Sequence, residues 1–137
     1  MPKIHFIDVT NRDAVQASRI NLSKLQKTMV NFYLGQMGIH QSEFAFPFAR
    51  NEQNYAKANL QLKEMGAFGD LVLEGWCRAI VSDVAESIAI GVKDLNVSIS
   101  TSDQMMIHKF GGKLGRQGVI ERMTAAVALA RVRSVNT

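Results

Sequence analysis

The chain has 137 residues, of which 47% are hydrophobic and 20% are charged, and its net charge at neutral pH is +4. This length and composition predict a single globular domain and exclude a disordered chain. The single cysteine, Cys77, excludes an internal disulfide and a Cys-x-x-Cys zinc site, so a secreted, disulfide-bonded domain is not expected. No apolar run approaches the roughly 18 residues of a membrane span, and the segment Met1–His5 lacks the apolar core of a signal peptide. We therefore expect a cytoplasmic protein without a membrane partner.

The excess of basic residues does not by itself indicate a nucleic-acid-binding protein. These residues are scattered, with only mild clusters at 109–116 and 131–133, and no aromatic side chains are interleaved with them. We therefore expect no nucleic-acid partner, and a weak preference for small anionic ligands fits the charge as well.

The first predicted strand and helix occupy the N-terminal third of the chain. A mainly apolar segment at 4–9 predicts a strand. Ser23 and Gln26 then form the capping box of a helix that ends at Gly38. The predicted inward-facing positions of this helix are Leu25, Met29, Phe32, Tyr33 and Met37.

Three more strands and helices follow. A second strand is expected at about 39–46, with a helix that Asn51 caps and Gly66 ends. The predicted inward-facing positions of that helix are Tyr55, Leu62 and Met65. A third strand starts at 71–73 and precedes a helix at about 80–90. The fourth strand and the last helix are predicted at about 95–99 and 117–133, with Val119, Met123, Val127 and Ala130 buried.

Strict alternation of strands and helices predicts a parallel α/β sheet with right-handed crossovers. Two architectures satisfy this pattern: a small open sheet, or half of an eight-stranded barrel. The glycine-rich fingerprint of a dinucleotide-binding fold is missing after the first strand, which disfavours the open sheet. A fifth strand should begin near 132–137.

Polar side chains follow every predicted strand, and functional groups of parallel α/β proteins gather at these carboxyl ends. They include Arg12, Asp13, Gln16, Glu43, Glu74, Arg78, Ser98 and Thr101. Each also has a purely structural interpretation. Arg12 and Asp13 could form a loop ion pair, Glu43 could pair with a neighbouring cation, and Arg78 could be a surface charge at a helix start.

Four segments resemble the motifs of the Claisen-condensing acyltransferases that include isopropylmalate synthase, homocitrate synthase and Re-type citrate synthase. The segments are Asp8–Gln16, Gly38–Pro47, Arg78–Val84 and Thr101–Asp103. The amino-acid sequences of Asp8–Asp13 and Ser98–Met105 are most similar to those of the homocitrate and Re-citrate branch. The resemblance covers nearly the whole chain, with the motifs in the family's order.

This resemblance implies a TIM barrel, with residues 1–137 forming about four of its eight (β/α) units, the N-terminal half of the catalytic domain. It implies acetyl-CoA as donor, a 2-oxo acid such as 2-oxoglutarate or oxaloacetate as acceptor, and a divalent metal (Mg, Mn or Zn). Asp13 would be a metal ligand, and Arg12 would bind substrate and stabilise the developing oxyanion. Glu43 would hydrogen-bond or transfer a proton. Gln16, Arg78 and Thr101 would bind substrate.

Departures from the family pattern limit these expectations. Asn11 stands where leucine is usual, Ala14 and Ala45 replace glycines, and many members have histidine where Met105 stands. The family's late His-x-His metal pair has no counterpart, since the histidines are His5, His40 and His108.

A full barrel needs about 250 residues. We therefore expect an acyltransferase that is incomplete or split and needs a complementary C-terminal half or a homo-oligomer. The alternative is a non-catalytic half-barrel, a binding or assembly subunit without the histidine ligands. In either case an apolar inner face and open sheet edges should favour association.

Three other features have simple interpretations. Cys77 is expected to be a buried small hydrophobic residue, and His108 a solvated loop residue. The glycine-rich segment 111–116 lacks the Walker spacing and is expected to be a flexible loop, with contact to the CoA phosphates as the alternative.

Overall fold

A computed structural model describes residues 4–137; positions 1–3, part of the segment used above to argue against a signal peptide, lie outside it. Four parallel strands form a sheet in the order β1-β2-β3-β4. The strands are β1 (Ile7–Asp8), β2 (Gln41–Ala45), β3 (Val72–Arg78) and β4 (Asp94–Ser98). The helices are α1 (Lys24–Gln36), α2 (Arg50–Glu64), α3 (Val81–Ala89), α4 (Asp103–His108) and α5 (Arg116–Val132). This sequential order is that of successive TIM-barrel units, and it confirms the predicted parallel βα repeat.

Local signals at the helix ends are confirmed for α1 and for the end of α2, where Gly66 follows with φ +82°, but the predicted cap at the start of α2 is wrong. The Ser23 side chain accepts from the backbone N–H of Gln26, whose side chain accepts from the backbone of Ser23. Gly38 follows α1 with φ +72°, a conformation that favours glycine. Asn51 does not cap α2, because the helix begins one residue earlier, at Arg50, and its N-cap residue is Ala49.

The apolar core lies between the sheet and the helices that cover one of its faces. Its largest fully buried apolar side chains are Phe44, Phe68, Leu71, Leu95, Val84 and Val92. On α5, Val119 and Ala130 are buried and Met123 is half-buried, as the sequence predicts. Cys77 is buried as well, as expected.

The predicted inward face of α1 is wrong except at Phe32, which is partly buried and packs against the core. Leu25, Tyr33 and Met37 are exposed, and the residues that α1 buries are Lys27 and Asn31. The surface under α1 presents polar groups, which a hydrocarbon face could not hydrogen-bond, so the polar side of the helix turns inward. Met65, the residue directly after α2, is also exposed rather than buried.

The expected apolar inner face is likewise wrong. Ser42 bonds to α1 and Phe44 packs against Tyr55 of α2, so the alternate residue, Glu43, points to the opposite, inner face. The same alternation places mainly polar side chains on this face of β3 and β4: Glu74, Trp76, Asp94 and Asn96.

Exposed apolar side chains lie instead along the β1 edge of the sheet and on α4. Ile4, Phe6 and Ile7 are exposed along the β1 edge. Beyond β4, Met105 and Ile107 are exposed on α4. The start of a fifth strand, expected at 132–137, appears as a parallel bridge between Asp94 and Asn136.

The helix α4 was not predicted. Ser102 is its N-cap and accepts from the backbone N–H of Met105 at 3.3 Å. His108 is therefore the last residue of a short helix, exposed as expected, rather than part of a loop. Within residues 4–137, no helix combines the length and apolar character needed to cross a membrane.

Candidate active site

The carboxyl edge of the sheet brings Arg12 and Glu43 together. Arg12 donates from Nε to Glu43 Oε2 at 2.6 Å and from Nη1 to Asp13 Oδ1 at 2.7 Å. The Asn96 side-chain amide donates to the other oxygen of Glu43. Glu43 is only 3% exposed, so these bonds offset the cost of burying its carboxylate.

The turn after β1 points Arg12 at β2. The backbone N–H groups of Arg12 and Asp13 both donate to the carbonyl of Val9, at 3.2 and 2.7 Å. The Asp8 carboxylate accepts from the backbone N–H of Thr10 at 2.9 Å and from its hydroxyl at 3.0 Å. These backbone and side-chain hydrogen bonds fix the conformation of the turn, and the Arg12 side chain extends from it toward Glu43.

Aromatic side chains border the ion pair. The Arg12 guanidinium lies 5.6 Å from the ring centre of Trp76, which contacts Phe46 edge to face at 5.6 Å between centroids. A cation over an aromatic ring is attracted to its face, and the ring excludes water from one side of the cation. Trp76 is the single tryptophan of the chain, so its fluorescence reports on the surroundings of Arg12.

Three carboxylates lie side by side on the inner face. Glu43 pairs in register with Glu74 on β3, and Glu74 with Asp94 on β4. Burial raises the pKa of Glu74, the hydrogen bond from Gln41 opposes this rise, and the nearby charge of Glu43 adds to it. The pKa of Glu74 therefore lies above its ordinary value beside the Arg12–Glu43 pair.

Sequence reasoning did not assign a role to Trp76 or Asn96. The signal that could have found them is the period-two alternation of strands, which places both on the same face as Glu43 once the sheet is known to be parallel. The register between strands, which no local pattern reveals, then puts Asn96 within reach of Glu43.

Arg78 lies apart from this cluster. It donates from Nε and Nη2 to the two oxygens of Asp83, at 2.6 and 3.0 Å, and its guanidinium is 4.9 Å from the ring centre of Phe48. Asp83 is in the first turn of α3, so this pair matches the interpretation of Arg78 as a charge at a helix start. Its side chain is 54% exposed and remains accessible to a ligand.

Gln16 and Thr101 are both exposed. Gln16 ends a 3₁₀ turn at Ala14–Gln16, and Thr101 follows β4, where it lines a depression of about 210 Å³ with Met106 and Arg116. In the described part of the chain, no side-chain hydrogen bond connects either residue to Arg12 or Glu43. Their predicted role in substrate binding stays a prediction.

Asp13 is the one predicted metal ligand. Its side chain is 58% exposed, and one of its carboxylate oxygens is bonded to Arg12. Among residues 4–137, no group of three or more His, Cys, Asp or Glu side chains is arranged to hold a metal ion. The chemistry of Asp13 suits one oxygen ligand position of a hard cation, but these residues do not form a metal site by themselves.

Comparison with known proteins gives a consistent result. The profile of the HMGL-like family matches residues 3–137. A citrate (Re)-synthase of Dehalococcoides mccartyi (strain CBDB1) is 52% identical over all of this chain, which covers 34% of that protein. The 2-isopropylmalate synthase 2 of Caldanaerobacter subterraneus subsp. tengcongensis is 32% identical over 96% of the chain and 33% of its own length. Homocitrate synthase 1 of Nostoc sp. (strain PCC 7120) is 26% identical over 82% of the chain. The chain spans about a third of the length of these relatives.

Proposed function

Because the chain belongs to the HMGL-like family, we propose that it supplies part of an acyltransferase active site that condenses acetyl-CoA with a 2-oxo acid. The buried ion pair between Arg12 and Glu43 at the carboxyl edge of the sheet is the observation that carries this proposal. A guanidinium held by a buried carboxylate in a partly water-excluded place is suited to stabilising an oxyanion.

The proposed reaction is a Claisen condensation followed by hydrolysis. The methyl group of acetyl-CoA loses a proton, and its carbon bonds to the carbonyl carbon of the 2-oxo acid, whose oxygen becomes an alkoxide and is then protonated. Water cleaves the thioester and releases free CoA thiol. Arg12 would stabilise the alkoxide, while Glu43 fixes the guanidinium from the opposite side and remains available for hydrogen bonding or proton transfer.

The remaining polar groups at this edge would complete the binding site. Gln16 and Thr101 are exposed and free to meet a polar substrate, and Arg78 would share its guanidinium between Asp83 and a substrate carboxylate. Asp13 would contribute one ligand to a divalent cation (Mg, Mn or Zn), with the other ligands coming from outside the described residues. Such a cation, when bound, polarises the acceptor carbonyl.

Oxaloacetate is the preferred acceptor in this proposal. Citrate contains the carbon skeletons of oxaloacetate and one acetyl group, and the 52% identical relative is named a citrate (Re)-synthase. 2-Oxoglutarate is the second acceptor to test, because a relative named homocitrate synthase also matches the chain.

A complementary partner is part of the same proposal. The chain spans about a third of its relatives, and exposed apolar side chains lie along the β1 edge of its sheet and on α4, where further strands and helices would pack. A second copy of the chain is the alternative partner. The single, buried cysteine fits the reducing environment of the cytoplasm, where we place the protein.

The test is release of CoA thiol from acetyl-CoA with oxaloacetate, 2-oxoglutarate or no acceptor. The chain is assayed alone and together with the remaining two thirds of the Dehalococcoides relative, supplied as a separate polypeptide. We expect release only with both pieces and an acceptor. Arg12→Lys, which keeps the charge but loses the planar fork, should abolish it, whereas the exposed control Arg131→Lys should not.

The competing function is the non-catalytic binding or assembly subunit. Absence of thiol release from the reconstituted pair, together with a change in Trp76 fluorescence on adding oxaloacetate, would favour that function. Thiol release that survives Arg12→Lys unchanged would contradict the role proposed for Arg12.

A further inference from the structure

Asn31 on α1 uses every hydrogen-bonding position of its side chain, although it is fully buried. Its Oδ1 accepts from the Asn11 amide at 2.9 Å and from the Ser42 hydroxyl at 3.1 Å. Its Nδ2 donates to the Tyr55 hydroxyl at 3.1 Å and to Asn59 Oδ1 at 3.0 Å. An amide side chain has two acceptor and two donor positions, so Asn31 is saturated.

The two groups that Asn31 Oδ1 binds are the chain neighbours of the ion pair. Asn11 directly precedes Arg12, and Ser42 directly precedes Glu43. Asn11 and Ser42 face the helices, while the Arg12 and Glu43 side chains meet on the inner side. A single buried oxygen therefore connects the β1 turn to β2 directly behind the point where the ion pair forms.

The rest of the network keeps this oxygen in place. The other N–H of the Asn11 amide donates to the backbone carbonyl of Lys27 at 2.8 Å, one turn before Asn31 on α1. Asn59 in turn donates to the Thr28 hydroxyl and to the carbonyl of Tyr55, at 3.0 Å each. The Asn31 amide, with all its partners satisfied, holds one geometry, because any shift leaves a buried polar group unpaired. Asn11 differs, since its Oδ1 is buried and has no hydrogen-bond partner among the described residues.

We propose that Asn31 is a positioning residue that sets the distance between Arg12 and Glu43 from the helix side of the sheet. Its importance for catalysis rests on the proposed function. The apolar residues expected on the inward face of α1 could not do this, because a hydrocarbon side chain cannot accept from Asn11 and Ser42 at once. The buried polar side of α1 thus has a role at the site, although it does not contact the inner face.

The test follows the Nε–H group of Arg12 by ¹⁵N nuclear magnetic resonance in the full chain. This proton is bonded to Glu43 and should give a resolved, slowly exchanging signal, which Arg12→Lys identifies by its loss. Asn31→Ala should lose the same signal. Asn59→Ala is the matched control, since it also removes a buried amide and one bond of Asn31 but does not contact Asn11 or Ser42.

Loss of the Arg12 signal in Asn31→Ala with retention in the folded Asn59→Ala protein would support the proposal. Retention in both variants, or equal loss in both, would overturn it. If Asn31→Ala does not fold, Ser42→Ala replaces it, because this substitution deletes only the hydroxyl that joins β2 to Asn31. A shifted Arg12 Nε–H signal in Ser42→Ala supports the proposal, and an unchanged signal overturns it. The measurement needs no catalysis, so a failed condensation assay would contradict the proposed function without affecting this result.

Discussion

Replacing Glu43 by glutamine tests the energetics of the proposed site directly. The substitution keeps the shape of the side chain and removes its charge. An amide NH₂ facing Arg12 would place donors against donors, so two charge-assisted bonds to Arg12, at 2.6 and 2.5 Å, would be lost. Turning the amide over would let its uncharged oxygen accept both bonds, because both go to Oε2, but it would set the NH₂ against the Asn96 amide.

The structure allows a rough magnitude to be worked out. Removing one partner of a buried ion pair costs about 3–5 kcal/mol. The Arg12 side chain is 19% exposed and keeps its bond to Asp13, so its charge is not left without partners. We therefore expect Glu43→Gln to lower the free energy of unfolding by about 2–3 kcal/mol. Asp13→Asn removes the exposed partner of the same arginine and should cost no more than about 1 kcal/mol.

The assay is urea unfolding at one protein concentration, followed by far-ultraviolet circular dichroism and, separately, by Trp76 fluorescence. Coincidence of the two curves establishes a two-state transition, and an unchanged slope shows that the midpoint shift reflects stability. If Glu43→Gln and Asp13→Asn shift the midpoint equally, the burial of Glu43 does not determine the strength of its pair, and the reasoning is refuted.

Three other predictions follow from burial and exposure. Burial raises the pKa of Glu74 above its ordinary 4.5, so the protonated side chain is favoured in the folded state relative to the unfolded state. Its contribution to the free energy of unfolding is present below the unfolded pKa and is lost as the pH rises through the folded pKa. Glu74→Gln should thus stabilise the chain near neutral pH and change little in acid, as measured by urea unfolding at several pH values. Burial raises the pKa of the Cys77 thiol to about 12, with the charge of Asp83 adding to the rise, so a disulfide reagent should modify it only after unfolding; native-state reaction faster than unfolding would contradict this. The exposed apolar side chains along the β1 edge and on α4 predict association of the purified chain, and sedimentation showing a single 15.2 kDa species at all concentrations would argue against it.

The sequence predicted those parts of the fold that depend on local chemistry. The capping box at Ser23 and the glycine after α1 are satisfied by neighbouring residues, so a local pattern is enough to find them. Strand positions also followed from short apolar segments, although β1 pairs over only Ile7–Asp8. The pairing of Arg12 with Glu43 could be expected because consecutive parallel strands bring their carboxyl ends together.

Features that depend on distant partners could not be predicted in this way. Periodicity favoured an apolar inward face for α1, but the helix buries Asn31, because its partners Asn11, Ser42 and Asn59 come from three other segments.

The saturation of Asn31 also constrains how this sequence can change over time. A substitution at Asn11, Ser42, Tyr55 or Asn59 leaves a buried polar atom unpaired unless its partner changes too, so single replacements are costly and joint ones much less so. A lineage with leucine in place of Asn11 should therefore also differ at position 31. Positions 11, 31, 42, 55 and 59 should change together in evolution rather than one by one.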